Sequence, residues 1–258
     1  MAQLVSLVVP LFNEEECLPL LQRELAAVAD RIEREKGLRV EIVMVDDGSI
    51  DGSWLRVVDF ARADPRVRAV SFSRNFGHQA ALSCGYGLAA GDAVVTLDAD
   101  LQDPPEVVLE LIDAWQQGTD IVYAVRERRE GETLFKRWSA EAFYRLLQRI
   151  GETSAPRDAG DFRLMSRRAV DALNDLREVH RYIRGMVGWL GFRSGIVRYQ
   201  RRPRAAGETK YPLFRMARLA VNAIVSFSMK PVAIICICVR FPVPLSANVC
   251  RPVFTVIQ

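Results

Sequence analysis

The run Asp98-Ala99-Asp100-Leu101-Gln102 sets two carboxylates two residues apart, with an amide two residues further on. Hard oxygen donors at that spacing suit Mg2+ or Mn2+. The run follows Ala93-Val94-Val95-Thr96-Leu97, which reads as a buried strand of a parallel sheet. After Asp103, the residues Pro104-Pro105-Glu106 begin a helix, because proline is tolerated in a first turn. Oxygen ligands therefore stand at the carboxyl end of a central strand, where open α/β sheets bind ligands. An acidic turn that only caps the helix after Pro104 is the other reading of the same residues.

The elements that must position this run alternate along the first half of the chain. Apolar runs predict strands over Gln3–Val9, Arg39–Val45, Val67–Phe72, Ala93–Leu97 and Asp120–Val125. Between them lie helical patterns from Glu14-Glu15-Glu16 to Lys36, up to Ala63, over Gln79–Ala90 and over Glu106–Gln117. Such alternation predicts βαβ units and a mostly parallel sheet flanked by helices. No G-x-G-x-x-G follows the first strand and no G-x-x-x-x-G-K-[ST] occurs, which argues against the dinucleotide and P-loop readings. Acidic turns, Asp46-Asp47 after the second strand and Asp98–Asp103 after the fourth, stand in their place. That pattern favours a metal-bridged diphosphate ligand.

From Arg126 the character changes. Residues 1–125 carry 10 Lys+Arg against 21 Asp+Glu, or −11, and residues 126–218 carry 22 against 11, or +11. The net charge of +3 hides this division, which suggests a metal-and-nucleotide half followed by a half for an anionic partner or surface. Thr133–Ile150 reads as a basic helix with Phe135, Trp138, Ala142 and Leu146 on one face, a pattern that suits a membrane surface or packing on its own domain. Asp158–Met165 reads as a glycine-bearing turn into a short strand, and Ser166 as a cap for a helix over Arg167–Leu176. Further elements are predicted at Arg181–Leu190 (helix), Gly195–Gln200 (strand) and Tyr211–Ser228 (helix).

The five cysteines have neither zinc-like nor disulfide-framework spacing, and read as reduced residues of a cytosolic compartment. Met1–Gln3 has no basic region before the first apolar run, so no signal peptide is expected. Val232–Val239 is eight residues long, well short of the roughly 20 a spanning helix needs. His78 is expected to pack at a helix start rather than to act as a ligand.

Six motifs occur in order: Pro10-Leu11-Phe12-Asn13-Glu14-Glu15, Val45-Asp46-Asp47-Gly48-Ser49, Ser73-Arg74-Asn75-Phe76-Gly77, Asp98 to Glu106, Gly160-Asp161-Phe162-Arg163-Leu164, and Gly207-Glu208-Thr209-Lys210-Tyr211. Together they resemble the family 2 inverting glycosyltransferases of GT-A fold. Within these they look like the polyprenyl-phosphate glycosyltransferases, namely dolichol-phosphate mannose synthase and the bacterial undecaprenyl-phosphate glucosyltransferases. The likeness runs from about residue 3 to residue 231.

The resemblance implies a nucleotide-sugar and metal-binding core over residues 1–125 and an acceptor-binding part over 126–230, with amphipathic helices at the membrane surface. Relatives of the glucosyl type continue after Lys230-Pro231 into two transmembrane helices, whereas residues 231–258 are expected to be an atypical tail without them. Attachment is then expected to be peripheral, on the cytoplasmic face of the membrane. By the same resemblance Pro10, Phe12, Glu14, Asp46, Asp47 and Asp98 line the nucleotide-sugar pocket, and Asp98, Asp100 and Gln102 surround Mg2+ or Mn2+. Arg126, Arg137, Arg204 and Lys210 match basic positions for the acceptor phosphate, and Asp100, Asp161 and Arg126 carry the chemistry.

The implied reaction transfers glucose from UDP-glucose to a polyprenyl phosphate. A GDP-mannose or other UDP-sugar donor is the alternative within the class, and a non-catalytic membrane-surface homologue the alternative outside it. A processive polysaccharide synthase would carry a Q-x-x-R-W segment, which is absent. Nucleic acid is not among the expected partners, and a homo-oligomer is left open.

Overall fold

A computed structural model of the chain describes residues 3–127, 159–178 and 181–201. The expected helices over 133–150 and 211–228 lie outside the described residues, as do the tail, Arg137, Arg204 and Lys210.

Among the described residues, seven strands form one sheet: β1 (Leu4–Leu11), β2 (Arg39–Asp46), β3 (Val67–Ser71), β4 (Ala93–Thr96), β5 (Ile121–Arg126), β6 (Ala159–Ser166) and β7 (Ser194–Tyr199). Their order across the sheet is β3-β2-β1-β4-β6-β5-β7. Strands β1 to β4 pair in parallel, as do β5 and β7, while β6 runs antiparallel between β4 and β5. The near-continuous apolar runs in β1, β2 and β4 follow from burial on both faces. On one face Leu7, Val9, Ile42 and Met44 pack with Leu21, Leu25 and Ile112. On the other, Val8, Val43 and Val45 pack with Leu82, Tyr86, Val170 and Met186. This is the period-two alternation of a strand dividing two cores.

Among the described residues the α-helices are α1 (Leu18–Arg31), α2 (Ser53–Ala63), α3 (His78–Leu88), α4 (Val108–Gln116), α5 (Arg167–Asp175) and α6 (Ile183–Trp189). Two local expectations are corrected. The first helix starts at Leu18, not at the Glu14–Glu16 acids. Asn13 adopts a left-handed φ of 52° and the Glu14 carbonyl turns back to accept the Cys17 and Leu18 N–H groups, which spends those residues on a turn. Ser166 precedes α5 but makes no side-chain cap, because its hydroxyl donates instead to Asp120 at 2.9 Å.

The strand order reverses direction between β1 and β4, and a crevice at the carboxyl ends of these strands is the place where such sheets bind ligands. The loops after β1, β2 and β4 open there. The antiparallel β6 brings the start of its own strand to the same edge. Among the described residues, no helix is long and apolar enough to cross a membrane.

Candidate active site

Three loops at this edge are stitched to one another. Asn13 N–H donates to Ser49 Oγ at 2.9 Å, Glu14 N–H to Ser53 Oγ at 2.9 Å, and Ile50 N–H to Asn13 Oδ1 at 2.9 Å. The loop carrying Phe12 and Glu14 is thereby fixed against the loop after β2. Pro10 lies beside Val45 and Leu11 beside Asp46 in the parallel register.

Asp46 and Asp47 hold this end of the molecule together. Asp46 is fully buried and accepts Ser49 N–H at 3.1 Å and the Ser71 hydroxyl at 2.6 Å. Asp47 accepts Phe76 N–H at 2.7 Å and Gly77 N–H at 2.9 Å, clamping the 73–77 loop at the start of α3. Gly48 sits at φ 69° against the Arg74 backbone, where an added Cβ would lie 2.4 Å from the carbonyl carbon. Only glycine allows the two loops to approach so closely. Each carboxylate keeps unused acceptor capacity, since an ionised carboxylate has about four lone-pair sites.

After β4 the chain turns sharply. Gln102 N–H donates to Asp100 Oδ1 at 3.1 Å, an Asx-type turn. Leu101 is buried at a left-handed φ of 55°, one of two such non-glycine residues described. That conformation is costly for a γ-branched side chain, and it turns the acidic loop back towards the sheet edge. Asp98, Asp100 and Gln102 remain partly accessible, whereas Asp103 is buried.

β6 supplies the opposite wall. Thr96, the last residue of β4, pairs with Arg163, and Asp161, two residues before Arg163 on β6, lies close enough to Asp98 for the two charges to interact. Asp161 is a hub: it accepts Arg163 Nη2 at 2.6 Å and Arg184 Nη2 at 3.0 Å, and lies 3.2 Å from His78 Nε2. Arg163 is fully buried. Burial alone would lift the Asp161 carboxyl, but the bond from His78 and the charges of Arg163 and Arg184 hold it far below the ordinary carboxylate range. Burial disfavours charge on His78, yet its bond to Asp161 and the charges of Asp98 and Asp161 outweigh this and raise its pKa. His78 begins α3, as expected, and also meets Asp161, a contact the sequence pattern does not show. Its 83-residue separation from Asp161 leaves no local signal of the pairing.

Desolvation pushes Asp98 up to about 6; nearby His78 opposes this, while the charges of Asp161, Asp103 and Asp100 add to it. A group of oxygen donors that repel one another in this way is stabilised by a hard cation. Among the described residues no three His, Cys, Asp or Glu side chains form a cage for a metal. Mg2+-type ions commonly use one or two carboxylates and complete their shell with substrate phosphates and water, and Asp98 and Asp100 fit that pattern. Arg126 ends β5 on the far side of the acidic loop, with Nη2 at 3.4 Å from Asp103 Oδ2.

The model for the glycosyl transferase family 2 matches residues 6–173. YkcC, an uncharacterized glycosyltransferase of Bacillus subtilis (strain 168), is 46% identical over 226 residues, covering 88% of this chain and 69% of its own. A prophage bactoprenol glucosyl transferase homolog of Escherichia coli (strain K12) is 41% identical, covering 89% of this chain and 74% of its own. The fold is similar to that of glucosyl-3-phosphoglycerate synthase from Mycobacterium tuberculosis, solved with phosphoglyceric acid, at a TM-score of 0.58 and 21% identity over 87% of this chain and 79% of that one. It is also similar to the mannosyltransferase PcManGT from Pyrobaculum calidifontis, solved with GDP-Man and Mn2+, at a TM-score of 0.55 and 20% identity over 84% and 61% of the two chains. The mostly parallel sheet with its antiparallel sixth strand is the GT-A arrangement of these neighbours, and the chain belongs to glycosyl transferase family 2.

Proposed function

We propose that the chain transfers glucose from UDP-glucose to the phosphate of a polyprenyl lipid, with inversion at the anomeric carbon. The observation that carries the reading is Asp98 of the acidic loop lying within reach of the charges of the His78–Asp161 pair, in a chain about 40% identical to bactoprenol glucosyl transferases over 89% of its length. Bactoprenol transferases act on a polyprenyl carrier by name, and the residues present suit an anionic acceptor.

Two electrostatic problems set the chemistry. The departing nucleoside diphosphate gathers negative charge, and the incoming phosphate is itself an anion. Asp98 and Asp100, with Gln102 beside them, would hold Mg2+ or Mn2+ at the diphosphate. When bound, such an ion supplies Lewis-acid stabilisation of the departing oxygens. The loops of Phe12–Glu14 and Asp46–Ser49, with Pro10 behind them, form the nucleoside side of the pocket. Arg126 offers a guanidinium to the acceptor phosphate, a two-point match for its oxygens. Arg137, Arg204 and Lys210 remain candidates for the same role from the sequence.

A phosphate acceptor is ionised near neutral pH, so its oxygen attacks without losing a proton to the protein. Asp161, held in its ionised form by Arg163, Arg184 and its bond with His78, is poorly suited to accept a proton and well suited to orient these neighbours. Arg184 thereby presents positive charge towards Asp98 and the donor, and His78 an N–H edge that gains charge when protonated. The attacking and departing oxygens lie on opposite faces of the sugar carbon, and one displacement inverts it.

The test incubates the full chain with Mn2+ or Mg2+, a short-chain polyprenyl phosphate and a panel of labelled nucleotide sugars. Labelled lipid from UDP-glucose ahead of UDP-arabinose-type donors and GDP-mannose is the expected result. A folded protein that labels lipid from no donor would overturn the reading.

A further inference from the structure

Asp103 belongs to the acidic loop but does not face the cleft with Asp98 and Asp100. Its side chain has no solvent exposure. It accepts the Tyr199 hydroxyl at 2.5 Å on Oδ1 and Arg126 Nη2 at 3.4 Å on Oδ2. Tyr199 Oη in turn accepts Arg126 Nε–H at 3.2 Å, closing a ring of three side chains. Arg201 Nε lies 3.5 Å from Asp103 Oδ1. The ring joins the loop after β4, the end of β5 and the end of β7, since Arg126 and Tyr199 are partners in the parallel β5–β7 register.

Tyr199 is itself fixed, with its ring edge-on to Phe162 at 5.6 Å between centroids. Gly160 lies under the guanidinium, where an added Cβ would be 3.4 Å from Arg126 Nη2. A guanidinium has five N–H groups. Here Nε and one Nη2 hydrogen are held by Tyr199 and Asp103, which fixes the plane of the group with Nη2 beside Gly160 at the start of β6. Burying an unpaired carboxylate is costly, so the position of Asp103 is over-determined by its partners.

Resting on the reading of Arg126 as a ligand of the acceptor phosphate, we infer that Asp103 and Tyr199 are positioning residues that aim the Arg126 guanidinium at that phosphate and tie it to the loop holding the donor. Neither residue touches substrate. The acidic loop therefore does two jobs: Asp98 and Asp100 serve the donor from one side, and Asp103 sets the acceptor arginine from the other.

The test uses Tyr199→Phe and Asp103→Asn in the full chain, with Arg126→Ala and the Arg126→Ala/Tyr199→Phe pair. Losing one hydrogen bond to a charged group corresponds to roughly tenfold or more. Tyr199→Phe is expected to raise KM for a short-chain polyprenyl phosphate by about that factor while KM for UDP-glucose stays within about twofold. In the Arg126→Ala background the same substitution is expected to add nothing, because it acts through Arg126. Additive effects, or equal changes in both KM values, would overturn the inference and leave the proposed reaction standing. Calorimetric binding of geranyl phosphate without donor reads the same effect independently of turnover. Wild type that binds geranyl phosphate but transfers no sugar would overturn the reaction while this comparison still decides the inference. Equal binding by wild type and Tyr199→Phe, or no binding by wild type, would overturn the inference itself.

Discussion

His78 Nε2 and Asp161 Oδ2 lie 3.2 Å apart, joining the start of α3 to the start of β6 across the mouth of the sheet. The pair closes the Asp161 hub on the side facing Asp98, and it makes the 73–78 loop part of the site. His78→Ala is expected to lower kcat by roughly a hundredfold through loss of orientation, with the fold retained by circular dichroism. Unchanged kcat would show that the pair is only a packing contact.

Asp161 pairs with both Arg163 and Arg184, and Arg163 is fully buried. Asp161→Asn should therefore destabilise the protein by about 3–5 kcal/mol in urea unfolding, because it leaves a buried guanidinium without a charged partner. Pairing it with Arg163→Met should restore much of that loss, since the charge to be compensated is gone.

The same hub predicts a stability profile in pH. The folded-state pKa of Asp161 is depressed, so its contribution is present above the ordinary carboxylate value of about 3.9 and disappears as pH falls below it. The folded-state pKa of His78 is raised, so its contribution is full below about 6.5 and is lost as pH rises through the folded value. Thermal unfolding of wild type should weaken on that upper side, and His78→Asn should remove the weakening. An identical profile in the variant would refute the assignment.

Gly48→Ala is expected to cost at least about 2 kcal/mol, from a left-handed backbone and a Cβ 2.4 Å from the Arg74 backbone. It should also loosen the loop held by Asp47 and weaken UDP binding by calorimetry. A stability change below about 0.5 kcal/mol would contradict this packing.

Asp100→Ala is expected to remove the dependence of UDP binding on Mn2+ and to lower kcat by roughly a thousandfold. Retained Mn2+ dependence would move the metal assignment away from the acidic loop.

The first five strands were legible because each is a short apolar run bounded by turn residues, and burial on both faces leaves little else for Val-Val-Pro-Leu or Val-Met-Val to do. The acidic loop was legible for the same reason: it stands where an apolar run ends. β6 was legible as a short strand but not as the antiparallel strand between β4 and β5, because strand order is set by long-range pairing that periodicity does not encode. In Gly-Asp-Phe-Arg-Leu the resemblance assigns Asp161 to the chemistry, but nothing in the local pattern shows Arg163 buried against it, which only the fold reveals. Tyr199 and Asp103, 96 residues apart, carried no shared signal. The position of Ser166 before a helix predicts a cap, but its hydroxyl is used by Asp120 instead.

The central claim is that the sugar passes to a lipid phosphate, an acceptor that needs no base. The most direct measurement compares polyprenyl phosphate with the matching polyprenol as acceptors for labelled glucose from UDP-glucose under Mn2+, reading the lipid product by mass. Glucosyl phosphoryl lipid from the phosphate and no product from the alcohol is the predicted result. Equal transfer to the alcohol, or product from neither, would contradict it.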